Sequence, residues 1–506
     1  MIKTKAPSIF RRFINIQTRP PHQSVLRAGQ PLHETRPHYL PTPGFLTPGI
    51  SAQEYYERRL QLSRQMPAKS VAIIVGNTVQ FASGSVFYDF QQDNDLFYLT
   101  GWNEPDAIAV IEKRGENDED DVYLHMLVPP RNPAKELWEG PKSGLEGAVE
   151  YFNADLVEDI SRAPLYLKNL IHDADLIYYD NKFASKEEEP IKSFFSILGT
   201  SDLNGVISKS NKRISPLSPK LAELRAIKSP AEIKVMHAAA KISSRAINKA
   251  MAKVGSDSPI LSERTLAKFL EYQFVKGGCD KQAYIPVIAS GRNALTIHYT
   301  RNDDLLYKDE MVFIDAAGKV GGYNADISRT WPNSPQGFTD PQRDIYEAVL
   351  NTNKACIELC AQSFGYSMHD LQEFAVRQLT QELNNITGFI VNTTEVTRYL
   401  YPHYIGHHLG LDLHDVPTCS KYKSLVAGNV ITIEPGLYIP ENDRWPKAFR
   451  GIGVRVEDDI VVGHTGADIL NLTSGCVKEV ADIEALISSG KCTTPGIDDE
   501  LVVLDI

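Results

Sequence analysis

Apolar and polar positions along this chain follow two periods. From Ser51, SAQEYYERRLQLSRQM spaces its apolar residues as one helix face behind a serine able to cap it. Compact apolar runs follow: VAIIV at 71–75, DAIAVIEKR at 106–114, DVYLHMLVP at 121–129 and ADLIYYD at 174–180. Their lengths and polar boundaries predict strands, with helix-patterned sequence between some of them, so the first part reads as a mixed α/β domain ending near residue 205. The acidic GENDEDD (115–121) joins two of these strands and reads as a solvated hairpin tip, as does KEEEP (186–190).

Residues 208–222, SKSNKRISPLSPKLA, have the serine, proline and lysine content of a linker. LRAIKSPAEIKVM then opens a strong helix: Ser229 can cap it, Pro230 suits its first position and Glu232 completes a capping box. Helical patterning dominates to about residue 277. From 283 the apolar runs shorten and alternate, as in AYIPVIAS, MVFIDAAG, VITIEPGLYI and VRVEDDIVV, with a helical insert at 341–385. That pattern predicts an α+β second domain, a curved sheet wrapped by helices.

Within that domain MVFIDAAG (311–318) echoes VITIEPGL (430–437). Each is an apolar run ending in an acid and then small residues, and each is followed by a second acid after another strand-like run, Asp326 in ADIS and Glu457 in VRVED. An internal duplication delivering two carboxylates per half fits the echo. The Gly321–Gly322 pair lets the segment from Asp315 to Asp326 double back as a hairpin.

Composition narrows the class. A chain of 506 residues suggests two or three domains. The net charge of −11 argues against a general nucleic-acid binder. No apolar run reaches the roughly eighteen residues of a membrane span. The six cysteines match no zinc or redox spacing, which leaves free thiols in a reduced compartment. Residues 1–40 depart from the rest: Lys3, Lys5, Arg11, Arg12, Arg19, Arg27 and Arg36 stand against one acid, Glu34, with apolar residues interleaved. An Arg-rich, acid-poor start is the signature of a mitochondrial transit peptide.

Four carboxylates on buried-looking strands (Asp315, Asp326, Glu434, Glu457) need counter-charge. Arg329 and Arg455 are near in sequence, and two divalent cations would supply it more fully. PHYIGHHLGLDLHDVP (402–417) adds His403, His407, His408 and His414. His403 and His407 mimic a helical zinc pair by spacing, but Gly406 and Gly410 oppose a helix there.

These segments together resemble the metallopeptidases of the creatinase or pita-bread fold. The likeness is to the aminopeptidase P branch and its mitochondrial intermediate-cleaving group (Xaa-Pro aminopeptidase 3 type). It rests on LRAIKSPAEI, GRNALTIHY (291–299), IDAAGKVGGYNADISRT, GHHLGLDLHD (406–415), IEPGLYI (433–439) and VRVEDD (454–459), with QQDNDLFYLTGWNEPDA (91–107) and LWEGP (137–141) in the first domain. GQPLHETRPHYLPTPGFLTPGIS (29–51) is similar to the amino-terminal arm of the mitochondrial group.

The resemblance implies a creatinase-like α/β amino-terminal domain with a mixed sheet over 41–207 and a linker over 208–222. It further implies an α+β pita-bread catalytic domain over 223–490, with pseudo-two-fold sheet halves, and a tail over 491–506. Asp315, Asp326, His407, Glu434 and Glu457 resemble the ligands of two divalent ions, manganese above others, with Asp326 and Glu457 shared between them. His298 and His403 resemble substrate- and transition-state-binding groups, His414 a proton-shuttling histidine facing the substrate, Arg455 an arginine beside the shared glutamate, Glu434 a proton carrier, and His408 a structural bystander. The implied reaction is removal of one amino-terminal residue from peptides or imported mitochondrial proteins after presequence cleavage, the metals activating the water that attacks the first peptide bond. The implied assembly is a homodimer or larger homo-oligomer in the mitochondrial matrix, with peptide or protein amino termini as the partner. Prolidases share the ligand set but cut dipeptides; non-catalytic pita-bread proteins have lost ligands, whereas all five are present here.

Overall fold

The computed structural model describes residues 28–117, 120–180 and 200–492. Most of the expected transit peptide, KEEEP and the tail from 493 lie outside the described residues. The six cysteines are all unbridged.

Helix α1 (Ala52–Arg64) starts where the serine predicted it: Ser51 accepts from the Glu54 amide at 3.2 Å. The first domain is built on a six-stranded mixed sheet. Its strands are β1 (Ser70–Val75), β2 (Ile108–Lys113), β3 (Val122–Val128), β4 (Leu156–Asp159), β5 (Leu176–Tyr178) and β6 (Arg213–Ser215), in the order β6-β5-β1-β2-β3-β4. β1–β2 and β2–β3 are antiparallel; β3–β4, β5–β1 and β6–β5 are parallel. The acidic 115–121 stretch joins β2 to β3 as expected. The expected linker is corrected in part: Arg213–Ser215 is the parallel edge strand of the first sheet, so that sheet ends at Ser215. Three residues are too few to show a period-2 pattern, which hid the strand.

A short helix, α2 (Asn94–Thr100), faces the second domain. The connection continues as α3 (Ser218–Ala226), and α4 (Pro230–Ala252) follows with the predicted capping box of Ser229 and Glu232. Such a cap is worth about 1 kcal/mol. After α5 (Glu263–Gly277) come β7 (Val287–Ser290), β8 (Met311–Asp315), β9 (Gly318–Val320), β10 (Tyr323–Asn324) and β11 (Ser328–Pro332). β8 pairs antiparallel with both β7 and β11, and β9 with β10. The turn between β9 and β10 is Gly321–Gly322, with φ of +55° and +85°, left-handed at both positions.

The helical insert is α6 (Asp340–Ile357) and α7 (Met368–Asn385). β12 (Val430–Ile433), β13 (Gly436–Tyr438), β14 (Gly453–Arg455) and β15 (Asp458–Val461) complete the domain; β12 pairs with β15 and β13 with β14, all antiparallel. The two halves are alike. Asp315 ends β8 and Asp326 precedes its neighbour β11; Glu434 follows β12 and Glu457 precedes its neighbour β15. One apolar core runs through both domains, from Ile74 and Leu99 to Ile314, Val349 and Ile460.

Candidate functional site

The halves meet where the acids emerge. The Glu457 amide donates to Ser328 O at 3.1 Å, and α6 braces the second half through Asn353, whose Nδ2 donates to Ile433 O at 2.9 Å and Val456 O at 3.2 Å. The loop 402–417 lies over this seam. Gly406 is required there: a Cβ on it would stand 2.0 Å from Thr432 O. That close approach lets the Thr432 amide donate to His407 O at 2.9 Å. His403 and His407 lie in irregular backbone, not on one helix face.

Asp326, His407 and Glu457 each offer a donor atom within 4.8 Å of the others. His407 Nε2 lies 3.4 Å from Asp326 Oδ2 and 3.7 Å from Glu434 Oε1. Its Nδ1 meets His408 O at 2.9 Å, so that contact favours a proton on Nδ1 and leaves Nε2 toward the carboxylates. Asp315 turns to Arg455, with which it forms a short ion pair. Arg455 Nε lies 3.8 Å from Glu434 and 4.0 Å from Glu457, and donates to Ser328 Oγ at 2.9 Å. Ser328 in turn donates to Glu457 at 2.6 Å. The five expected ligand residues are therefore brought together, with Arg455 among them.

The site holds more negative charge than Arg455 can balance. Burial pushes the Asp315 carboxyl up to about 6 against the pull of Arg455, and Asp326 adds to the rise. Burial likewise lifts Glu434 to about 7, opposed by His407 and Arg455 and assisted by Asp326 and Asp315. Glu457 stands well above the usual carboxylate range through burial and the charges of Asp326 and Glu434. Burial works against a charged His407, yet Asp326 and Glu434 outweigh it and lift it to about 9. Crowded, sealed carboxylates around one imidazole form a donor set that divalent cations fit.

The other candidate histidines differ in their surroundings. His414 is exposed, its ring centroid 4.2 Å from that of His407. His403 Nε2 meets the Tyr438 hydroxyl at 2.9 Å, and burial with the nearby Arg455 charge lowers its pKa to about 3, so it is neutral. His298 is exposed on the 291–300 segment, and burial followed by the neighbouring His407 lowers the pKa of His414. His408 is largely buried and lines a separate cavity with Ala226, Ser424 and Asn429; its backbone bridges Asp415 and Ile431, and its Nδ1 has no partner among the described residues.

Two site residues escaped the sequence reading. The Tyr284 hydroxyl reaches both Asp315 (2.5 Å) and Asp326 (2.6 Å). Tyr438 accepts from Arg455 Nη1 at 3.0 Å while holding His403. Tyr438 stands inside the motif IEPGLYI, whereas Tyr284 sits in an apolar run with no local mark.

The family model of metallopeptidase family M24 matches residues 234–464, and that of the aminopeptidase P amino-terminal domain matches residues 55–178. Over 472 residues the chain is 51% identical to intermediate cleaving peptidase 55 of Saccharomyces cerevisiae, covering 92% of this chain and 90% of that one. The chain belongs to metallopeptidase family M24. As an M24 member with an aminopeptidase P amino-terminal domain it is an enzyme, a metallo-aminopeptidase dependent on divalent metal. It is also 35% identical over 470 residues to the mitochondrial intermediate cleaving peptidase 55 of Arabidopsis thaliana, with 92% of this chain and 89% of that one covered. The crystal structure of Icp55 from S. cerevisiae lacking its first 58 residues superposes with a TM-score of 0.77 at 47% identity, over 88% of this chain and 100% of that chain. The M24 match spans both sheet halves, and the aminopeptidase P amino-terminal match spans β1 to β5 of the first domain, with β6 between the two matches.

Proposed function

We propose that this metallo-aminopeptidase removes a single amino-terminal residue from peptides and from imported mitochondrial proteins after presequence cleavage. In this reading Asp315, Asp326, His407, Glu434 and Glu457 hold two divalent ions. The observation that carries it is the convergence of four carboxylates and one imidazole at the seam of the two sheet halves. An oxygen-rich set with one imidazole suits manganese. When bound, the ions supply the positive charge that activates water and polarises the first peptide carbonyl.

The chain's own groups do the rest. Glu434 faces His407 on one side and His403, 3.9 Å away, on the other, a place from which it can pass a proton to the leaving amine. Neutral His403 and the exposed His298 and His414 line the approach, where a ring N–H can steady a developing oxyanion and His414 can relay a proton. Arg455 and Tyr284 hold the carboxylates in place.

The Arg-rich start and the mitochondrial name of the Arabidopsis relative support a mitochondrial location, with the matrix as the compartment. No helix among the described residues is long and apolar enough to cross a membrane. A homodimer or larger assembly is part of this reading; Phe81, Phe87, Tyr88 and Trp138, all exposed on the first domain, offer it apolar surface. Two assays test the proposal. Offered Xaa-Pro dipeptides beside longer peptides, the enzyme cleaves the longer ones; turnover of dipeptides alone would make it a prolidase. In cells, Glu434→Ala leaves mitochondrial proteins with one extra amino-terminal residue; an unchanged set of termini refutes the processing role.

A further inference from the structure

The motif LRAIKSPAEI (224–233) lies outside the metal centre, yet two of its cations reach the histidine loop. Arg225 is in α3 and Lys228 in the link to α4, and both are buried. One Arg225 nitrogen, Nη2, donates to Asp412 at 2.6 Å and to Asp415 at 2.5 Å. The other, Nη1, donates to Asp95 of the first domain at 2.6 Å. Lys228 Nζ donates to the second Asp415 oxygen at 2.8 Å. Asn94, also in α2, donates to Asp412 at 2.6 Å and to Leu411 O at 3.2 Å.

Asp412 and Asp415 flank Leu413 and His414. The Asp415 amide closes back on His408 O at 2.8 Å, so residues 408–415 form a closed loop gripped on both sides of His414 by one guanidinium. The next residue, Val416, is held at φ +44°, a conformation a β-branched residue adopts only when its surroundings enforce it. The contacts leave from both terminal nitrogens of one rigid fork, a span that the single nitrogen of an ammonium does not have.

We propose that Arg225 is a positioning residue: by tying Asp412, Asp415 and the first domain's Asp95 together, it fixes where His414 stands against His407 and makes turnover depend on the docking of the two domains. This rests on the assignment of His414 to the substrate side of the site.

The test uses the full chain loaded with manganese and a peptide substrate. Asp95→Ala removes the acceptor of the Arg225 leg to the first domain while the protein keeps a cooperative melting transition and its metal content. It lowers kcat about tenfold with KM changed less than about twofold, as a displacement of a reacting group on the order of 1 Å does. In a His414→Ala background the same change alters kcat less than about twofold, because the group it positions is gone. Arg225→Lys keeps the charge but not the fork, and its crystal structure shows the His407 and His414 rings moved from their 4.2 Å separation. An equal kcat loss in both backgrounds, a change in KM alone, or an unmoved His414 ring overturns the proposal. Should His414→Ala keep full rate, the substrate-side assignment fails, and the ring separation alone decides whether Arg225 positions the loop.

Discussion

Arg329 and Asp458 meet at 2.8 Å with both side chains sealed from solvent. Arg329 stands in β11 of one sheet half and Asp458 in β15 of the other, so the pair spans the seam one residue from Ser328 and Glu457. Arg329 also donates to the carbonyls of Ser328, Glu457, Cys476 and Val477. Arg329→Met strands those carbonyls and leaves Asp458 with Lys478 as its remaining cation. The expected loss is about 3–5 kcal/mol in chemical denaturation; a loss below about 1 kcal/mol would show the pair to be incidental.

Each loop histidine has its own expected signature. His407→Ala loses metal, read by metal analysis after dialysis. His414→Ala keeps its metal and loses about 10²–10⁴ in kcat, the usual contribution of a positioned proton-transfer group. His408→Ala keeps both, since His408 lines a separate cavity with Ala226, Ser424 and Asn429. Metal loss in His408→Ala, or full rate in His414→Ala, contradicts the assignment.

Tyr284→Phe removes the one hydroxyl shared by Asp315 and Asp326 while keeping the ring. Groups that orient metal-binding carboxylates are worth about 10–100-fold in metal affinity or activity. Manganese titration of the metal-free variant followed by steady-state kinetics locates the loss. Unchanged affinity and rate would reduce Tyr284 to a packing residue.

Metal uptake depends on pH in a fixed direction. In the metal-free protein Asp315 at about 6 and Glu434 at about 7 hold protons that the unfolded chain releases near 4. Raised folded values favour the folded state below that range, so these groups cost the metal-free protein stability as pH climbs from about 4 to 7. Manganese must displace those protons, so its affinity rises over the same interval. The melting-temperature gap between loaded and metal-free protein widens from pH 5 to pH 8; a constant gap refutes the linkage.

What could be seen in the sequence was whatever local chemistry encodes. The Ser229–Pro230–Glu232 start of α4 and the Gly321–Gly322 turn are fixed by neighbours and appear as expected. The echo between MVFID and VITIE survives because each half repeats the same strand-end acid. Tyr284 was invisible because its partners lie 31 and 42 residues away, and an aromatic in an apolar run looks like core. The grip of Arg225 on Asp412 and Asp415, 187 and 190 residues distant, left no periodic trace either. The parallel edge strand at Arg213–Ser215 was lost to its brevity.

Arg58 of α1 is buried, and its Nη2 donates both to Glu54 and to the Tyr323 hydroxyl of the catalytic hairpin, 265 residues further along the chain. Tyr323 donates in turn to Glu232, the same carboxylate that closes the α4 capping box. Within the first domain this guanidinium is already held by Glu54, the Tyr98 carbonyl and the Tyr55 and Tyr98 rings. Tyr323 and Glu232 complete its shell from the second domain, so one buried cation of α1 answers to partners on both sides of the domain boundary.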